Sequence, residues 1–203
     1  LLVMGLGTQM LGWRAGFCDA LADRGFFVIR YDNRDVGRST KFSSHQPPTA
    51  AQLLRRDRKA AAYTLADMAD DGVGLLDRLG IAAAHVAGAS MGGMIAQTIA
   101  FRHPDRVLSL TSIMSNTGAR WSGQPSLSLY GTLLKRAPRE REAYIEHQMQ
   151  VYSKTGSPDF PRDEADLREL ATSSYARGHD PAGSARQLAA IIASGDRTAD
   201  LAR

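Results

Sequence analysis

The residues best suited to chemistry lie around Ser90, which has a glycine two positions away on either side, at Gly88 and Gly92. This spacing is typical of a nucleophile elbow, a sharp turn from a buried strand into a helix. An apolar run precedes the turn, and residues 91–103 follow with helical spacing. The helix start directs N–H groups at a developing negative charge. The pattern predicts a nucleophilic serine for acyl transfer. The alternative is a glycine-rich turn that binds a phosphate or no ligand.

A serine hydroxyl is a weak nucleophile at neutral pH, so Ser90 needs a neighbouring base. The five histidines are His45, His85, His103, His147 and His179. Three of them follow Ser90: we expect His103 to cap a helix end, His147 to lie on a helix surface and His179 to lie in a turn. The two earlier ones are expected to be structural. No residue of this chain is therefore assigned as the base, and the carboxylate that would orient a base is not identified either.

Strand and helix patterns alternate over the first part of the chain. The predicted strands are residues 1–4, 26–31, 85–87 and 107–114, and the predicted helices are residues 13–24, 63–79 and 91–103. Thr64 and Asp67 form a capping pattern at the start of the second helix, and Gly80 can end it. This alternation predicts a parallel sheet with right-handed crossovers and a ligand site at the carboxyl ends of its strands.

The second part of the chain has helical patterns without strands. Helices are predicted at residues 126–135, 140–153, 162–175 and 182–194, separated by prolines. We therefore expect three parts: a core at residues 1–118, a helical lid at 119–181 and a helix returning to the core at 182–203.

Four segments carry a resemblance to a known family: VMGLGTQMLGW, YDNRDVGRST, GASMGGMIAQ and FRHPDRV. They resemble the α/β-hydrolase superfamily, and within it the bacterial methylesterases and enol-lactonases, over nearly the whole chain. The resemblance implies a partial parallel sheet of about four strands flanked by helices, with a helical lid. It also implies that Ser90 is the nucleophile, that the backbone N–H groups of Met91 and Leu6 form the oxyanion hole, and that no metal or organic cofactor is needed. Many relatives have His-Gly where this chain has Met4 and Gly5, which bears on the hydrogen bonding of the loop.

The function expected from these features is hydrolysis of a small carboxylic ester or lactone through an acyl-enzyme. In this fold the nucleophile is followed by an Asp or Glu and then a His. Because the chain opens in an apolar run and has no strand pattern after residue 114, we expect a fragment whose triad Asp and His lie in missing C-terminal sequence. The alternatives are a peptidase, a perhydrolase or an acyltransferase of the same fold, or a non-catalytic binding module.

Two further groups of side chains are candidates for binding. Trp121, Tyr130, Met149 and Tyr152 could line an acyl pocket or form the core of the lid. The charged residues after the second strand, Asp32, Arg34, Asp35 and Arg38, could hold a metal or a phosphate. We favour ion pairs that hold this loop near the oxyanion loop.

Composition excludes several classes of protein. The formal net charge is +4, but arginines alternate with acidic residues, so we expect solvated helix faces and no nucleic-acid binding. A single cysteine, Cys18, excludes an intrachain disulfide. No apolar run reaches the length of a membrane span. We expect a cytoplasmic protein with a small-molecule substrate and leave its oligomeric state open.

Overall fold

The computed structural model describes residues 1–124, 126, 131 and 137–202. Within them, three strands form one parallel sheet: β1 (Leu2–Val3), β2 (Ala84–Ala89) and β3 (Val107–Ile113). Their order in the sheet is β1-β2-β3. Leu2 pairs with Ala87, and the ladder between β2 and β3 runs from Ala84 opposite Val107 to Ala89 opposite Ile113. The predicted parallel α/β architecture is confirmed.

The strand predicted at residues 26–31 is reduced to one parallel bridge between Leu2 and Arg30. The N–H of Leu2 also donates to the carbonyl oxygen of Ile29 at 2.8 Å. Because β1 is two residues long, it offers this segment no further backbone partners. The side chains still alternate, with Val28 packed on one face of the sheet and Ile29 on the other. Residues 26–31 therefore have side chains suited to a strand, but they do not form one because their partner β1 is too short.

Eight α-helices lie in the described part of the chain. They are α1 (Ala15–Ala22), α2 (Ala50–Leu54), α3 (Leu65–Arg78), α4 (Met91–Arg102), α5 (Arg141–Thr155), α6 (Glu164–Gly178), α7 (Pro181–Ser194) and α8 (Thr198–Leu201). Six match predicted helices, whereas the short α2 and α8 were not predicted. The helix predicted at residues 126–135 falls mostly outside the described residues. None of the described helices is both long enough and apolar enough to cross a membrane.

Helices cover both faces of the sheet. On one face, Val3 and Val86 pack against buried residues of α3 and α4, and Ala190 of α7 joins the same cluster. On the other face, Leu2 and Ala89 pack with Trp13 and residues of α1. Because side chains alternate along a strand, a two-residue β1 contributes to both clusters. The capping box of Thr64 and Asp67 forms as predicted at the start of α3.

The helices α5 and α6 pack on each other through a separate small cluster of Tyr144, Ile145 and Ala171. Helix α7 instead contributes to the main core through Ala190. The division at residues 118 and 181 stays a prediction.

Candidate active site

Ser90 lies at the junction between β2 and α4, in the position that its flanking glycines predict. Its backbone has φ 54° and ψ −118°, a sparsely populated conformation for a residue with a side chain. The N–H of Ser90 donates to the carbonyl oxygen of Ile113 at 2.9 Å, which ties the turn to the end of β3. The carbonyl oxygen of Ser90 accepts from the N–H groups of Gly93 and Met94. These bonds hold the strained residue in place.

The two flanking glycines are required by close backbone contacts. A Cβ atom at Gly88 would overlap the carbonyl group of Gly92, and a Cβ atom at Gly92 would overlap the carbonyl group of Val3. Both positions therefore need a residue without a side chain. The spacing read from the sequence has a direct steric cause in the structure.

Backbone N–H groups surround Ser90 without intramolecular acceptors. In the described part of the chain, the N–H groups of Met91 and Gly92 at the start of α4 have no hydrogen-bond acceptor, and neither does that of Leu6. The loop carrying Leu6 lies beside the serine, because a Cβ atom at Gly5 would be 3.2 Å from Ser90 Cβ and 3.7 Å from its Oγ. The arrangement can offer donors to an oxygen that becomes negatively charged.

The loop after β1, residues 4–9 and hereafter the oxyanion loop, is fixed by bonds that come from distant parts of the chain. Asn33 Nδ2 donates to the carbonyl oxygen of Met4 at 2.8 Å. The N–H of Gly7 donates to Gln187 Oε1 at 2.8 Å. Gln9 Nε2 donates to the carbonyl oxygen of Ser174 at 2.6 Å. These contacts supply the hydrogen bonding of the loop, in a chain that has Met4 rather than histidine.

A buried ion pair holds α7 against the loop after residue 31. Arg186 donates from Nε and Nη2 to the two oxygens of Asp35, at 2.9 and 2.7 Å. The Tyr63 hydroxyl donates to Asp35 Oδ2 at 2.6 Å, and the Phe42 N–H donates to Oδ1. Burial would raise the pKa of Asp35, but these hydrogen bonds outweigh it and hold the pKa below the usual value.

Three of the four charged residues after residue 31, namely Asp32, Arg34 and Asp35, form ion pairs. Asp32 accepts from the backbone N–H of Met10 and of Arg38, and pairs with Arg177 of α6. Arg34 pairs with Asp71 of α3 at 2.6 Å rather than with a loop carboxylate. The side chains of Asp32 and Arg34 are thus engaged within the chain, and Arg38 takes part through its backbone N–H.

The partners found for the five histidines are groups other than Ser90. His103 ends α4 as predicted and binds Asp70 through Nε2 at 2.8 Å, about 20 Å along the helix from the serine. His85, at the opposite end of β2 from Ser90, binds Ser109 at 2.7 Å.

The remaining histidines lie in loops or on a helix. His179 binds the carbonyl oxygen of Pro138, and burial lowers its pKa while that carbonyl opposes the shift. His45 lies exposed in a loop, and His147 lies half-buried on α5. In the described residues, Ser90 Oγ has no hydrogen bond to a histidine.

The four candidate pocket residues fall in different surroundings. Trp121 is 89% exposed, with its ring against the Arg120 guanidinium, so it does not lie in a lid core, and its place in a pocket stays a prediction. Tyr130 lies outside the described residues. Met149 packs in the cluster between α5 and α6, and burial raises the pKa of Tyr152 to about 12 against the opposing charge of Arg14.

Sequence reasoning missed Gln187, whose side chain is fully buried. A signal for it exists in the pattern of α7. Gln187 lies on the same helix face as Gly183 and Ala190, four residues before and three residues after it. A long polar side chain on a face of small or apolar residues indicates a buried hydrogen-bonding role.

The whole pattern, from the elbow to the oxyanion loop, corresponds to a known family. Residues 1–161 match the family described as alpha/beta hydrolase fold. The chain belongs to this family. The resemblance inferred from the four sequence segments is thereby confirmed for this alpha/beta hydrolase.

Individual relatives of this alpha/beta hydrolase are named as hydrolases of small molecules. The chain is 29% identical over 202 residues to rhodomycin D methylesterase DauP of Streptomyces sp. (strain C5), covering 89% of the chain and 63% of the relative. It is 39% identical over 113 residues to putative carbamate hydrolase RutD of Caulobacter vibrioides (strain NA1000 / CB15N), covering 56% and 35%. The enol-lactonase structure from Burkholderia xenovorans LB400 matches with TM-score 0.66 and 25% identity, over 97% of this chain and 65% of that one. The chain thus spans about 63% of the length of the methylesterase.

Proposed function

We propose that this chain carries the nucleophile of a serine hydrolase that cleaves a small carboxylic ester or lactone. The observation that carries the proposal is the strained Ser90 at the strand-to-helix turn, next to N–H groups without acceptors. Strain of this kind costs about 1–3 kcal/mol and is concentrated at functional sites. Relatives named as a methylesterase and an enol-lactonase support the choice of substrate class.

In the proposed mechanism, Ser90 Oγ attacks the carbonyl carbon of the substrate while a base accepts the hydroxyl proton. The carbonyl oxygen becomes an oxyanion, to which the N–H groups of Met91 and Leu6 donate. Collapse of this intermediate breaks the bond to the leaving oxygen, which takes the proton from the base. Water then attacks the acyl-enzyme by the same steps, which releases the acid and restores the serine. Loss of one preset donor raises such a barrier by about 3 kcal/mol.

The base and its orienting carboxylate come, in this proposal, from outside the described residues. The support is the placement of three histidines, His103, His85 and His179, whose ring nitrogens bind Asp70, Ser109 and the Pro138 carbonyl rather than Ser90. In this proposal, Met149 and Tyr152 line part of the pocket for the acyl group.

A fluorophosphonate probe tests the nucleophile, because it phosphonylates serines whose hydroxyl is activated. We expect the 203-residue chain to react slowly. Added imidazole should accelerate the reaction by about tenfold or more, since it supplies a general base in solution. Mass spectrometry of the labelled peptide should place the adduct on Ser90, and Ser90→Ala should abolish it.

Ser109→Ala is the matched control, because Ser109 is hydrogen-bonded to a histidine but lies on an ordinary strand. Labelling should survive this substitution. Labelling that is lost with Ser109 and kept in Ser90→Ala would refute the proposal. Rapid labelling of Ser90 without imidazole would refute only the proposal that the base lies outside the described residues.

The second candidate is a non-catalytic binding module, which the absence of a hydrogen bond between Ser90 Oγ and any described base favours. In that case the probe would not label Ser90, either alone or with added imidazole. A peptidase, a perhydrolase or an acyltransferase would share the labelling and would be separated by comparing methyl esters with amino-acyl amides as substrates.

A further inference from the structure

The oxyanion loop contains a tight turn whose central peptide joins Leu6 to Gly7. The N–H of Thr8 donates to the carbonyl oxygen of Gly5 at 3.1 Å, which closes the turn. Gly7 has φ +65°, as the third residue of a type II turn does. A turn of this kind has a second form in which the central peptide is reversed, and glycine adopts both forms readily. Some other group must therefore select the orientation of this peptide.

Two side chains contact that peptide: Thr8 Oγ1 donates to its carbonyl oxygen at 3.3 Å, and Gln187 makes the shorter bond, to its N–H. Gln187 Oε1 accepts from the N–H of Gly7 at 2.8 Å, and its Nε2 donates to the carbonyl oxygen of Arg34 at 2.8 Å. The side chain is 0% exposed, so water does not compete for these bonds. Because one end of the carboxamide meets a donor and the other an acceptor, its orientation is fixed.

Two further contacts hold α7 in place, one with the oxyanion loop and one with the loop after residue 31. A Cβ atom at Gly7 would lie 2.7 Å from Ser184 Oγ, one turn before Gln187. At Gly183 the helix backbone approaches the carbonyl oxygen of Asp35 so closely that a Cβ atom would overlap it. The neighbouring Arg186 donates two hydrogen bonds to the carboxylate of Asp35. The helix therefore presents Gln187 from a rigid position.

We propose that Gln187 is a positioning residue for the oxyanion hole, which it stabilises by fixing the Leu6–Gly7 peptide. This inference rests on the proposed function, in which the Leu6 N–H is one of the two donors. Without the carboxamide, the Leu6–Gly7 peptide keeps the longer bond from Thr8 Oγ1 but reverses more readily, and each reversal disturbs the adjoining Leu6 N–H beside Ser90. Gln187 itself touches neither Ser90 nor the reacting atoms.

The first test measures the loop without relying on catalysis. In protein labelled with ¹⁵N-glycine, we expect Gln187→Met to increase the hydrogen-exchange rate of the Gly7 amide by about tenfold or more, because a buried hydrogen bond is lost. Gln97→Met is the matched control: Gln97 is also buried and donates to Ser112 Oγ at 2.9 Å, away from the loop. It should leave the Gly7 amide unchanged. Equal protection of Gly7 in Gln187→Met and the wild type would overturn the proposal.

The second test measures the reaction of Ser90 with the fluorophosphonate probe in buffer containing imidazole. We expect Gln187→Met to lower the maximal labelling rate by about tenfold or more, while the half-saturating probe concentration changes less than about twofold. Gln97→Met should keep the maximal rate. Faster exchange at Gly7 with an unchanged maximal rate would overturn the positioning role. If Ser90→Ala still reacts, the proposed function fails, whereas the exchange measurement still tests the contact of Gln187.

A conservative variant covers the case in which Gln187→Met does not fold. Gln187→Glu keeps the shape, and its protonated carboxyl can both accept from Gly7 and donate to the Arg34 carbonyl oxygen. We expect its labelling rate to be close to that of the wild type at pH 5. The ratio to the wild type should fall as the pH rises and the carboxyl ionises against that carbonyl oxygen. A ratio that stays constant from pH 5 to pH 8 would contradict the proposal.

Discussion

At the scale of single residues, the conformation of Ser90 is the feature with the clearest physical cause. Its positive φ is imposed by the junction of β2 with α4, and the overlap at Gly88 and Gly92 leaves no room for side chains around it. A serine at such a position lowers stability relative to glycine, so its presence indicates a role beyond folding.

Ser90→Gly should therefore stabilise the chain by about 1 kcal/mol, because glycine adopts this conformation without strain. Urea denaturation measures the difference. Ser109→Gly is the control, since Ser109 lies on β3 and a glycine within a strand is destabilising. A Ser90→Gly variant that is less stable than the wild type would mean that the serine side chain contributes to the fold.

The sequence was sufficient for Ser90 and its neighbours because the steric rule is local: the glycines and the serine lie within five residues. It was insufficient for Trp121, because exposure depends on what the rest of the chain places over the ring. It was also insufficient for Gln187, whose partner Gly7 lies 180 positions away in the chain. Periodicity reports which face of an element is apolar, but not which distant group meets a polar residue on that face.

At the scale of elements, α7 is held by the buried pair of Arg186 and Asp35, which lie 151 positions apart. The side chains are 3% and 0% exposed. Removal of one partner from such a pair leaves a buried charge without compensation and costs about 3–5 kcal/mol. The two groups thus connect the helix that carries Gln187 to the loop after residue 31.

Acidification should weaken this connection. The folded-state pKa of Asp35 lies below its usual value of 3.8, so the folded chain holds this carboxylate deprotonated more strongly than the unfolded chain does. The resulting stability is present above pH 3.8 and is lost as the pH falls through the lower, folded-state pKa.

We expect Asp35→Asn to be less stable at neutral pH and to show a smaller further loss of stability on acidification to pH 2, as measured by thermal melts across pH. Asp71→Asn is the control, because the Asp71 side chain in its pair with Arg34 is 40% exposed, whereas that of Asp35 is 0% exposed. Equal pH profiles for Asp35→Asn and the wild type would show that Asp35 does not account for the acid lability.

At the scale of the whole molecule, β3 is the most exposed part of the sheet. Among the described residues it pairs with β2 alone, and Leu108 is 62% exposed. Leu110, Ile113 and Met114 are exposed as well. An apolar strand with a free edge favours pairing with another chain.

We expect the 203-residue chain to self-associate at raised concentration and Leu108→Lys to reduce this association, since a charged side chain disfavours pairing of edge strands. Light scattering across a concentration series measures the effect. Leu54→Lys is the control, because Leu54 is 82% exposed but lies on α2 rather than at a strand edge. If the two lysine variants associate to the same extent, exposed apolar area rather than the strand edge is responsible.

The long helical excursion after β3 returns to the point from which it leaves. The N–H of Arg197 donates to the carbonyl oxygen of Thr117 at 2.8 Å, and its guanidinium donates to the carbonyl oxygen of Asn116. A Cβ atom at Gly118 would overlap the carbonyl oxygen of Gly195. A protease site inserted after Gln124 would consequently produce two pieces that stay joined without a covalent link, and the chain could be expressed as a split pair that reassembles.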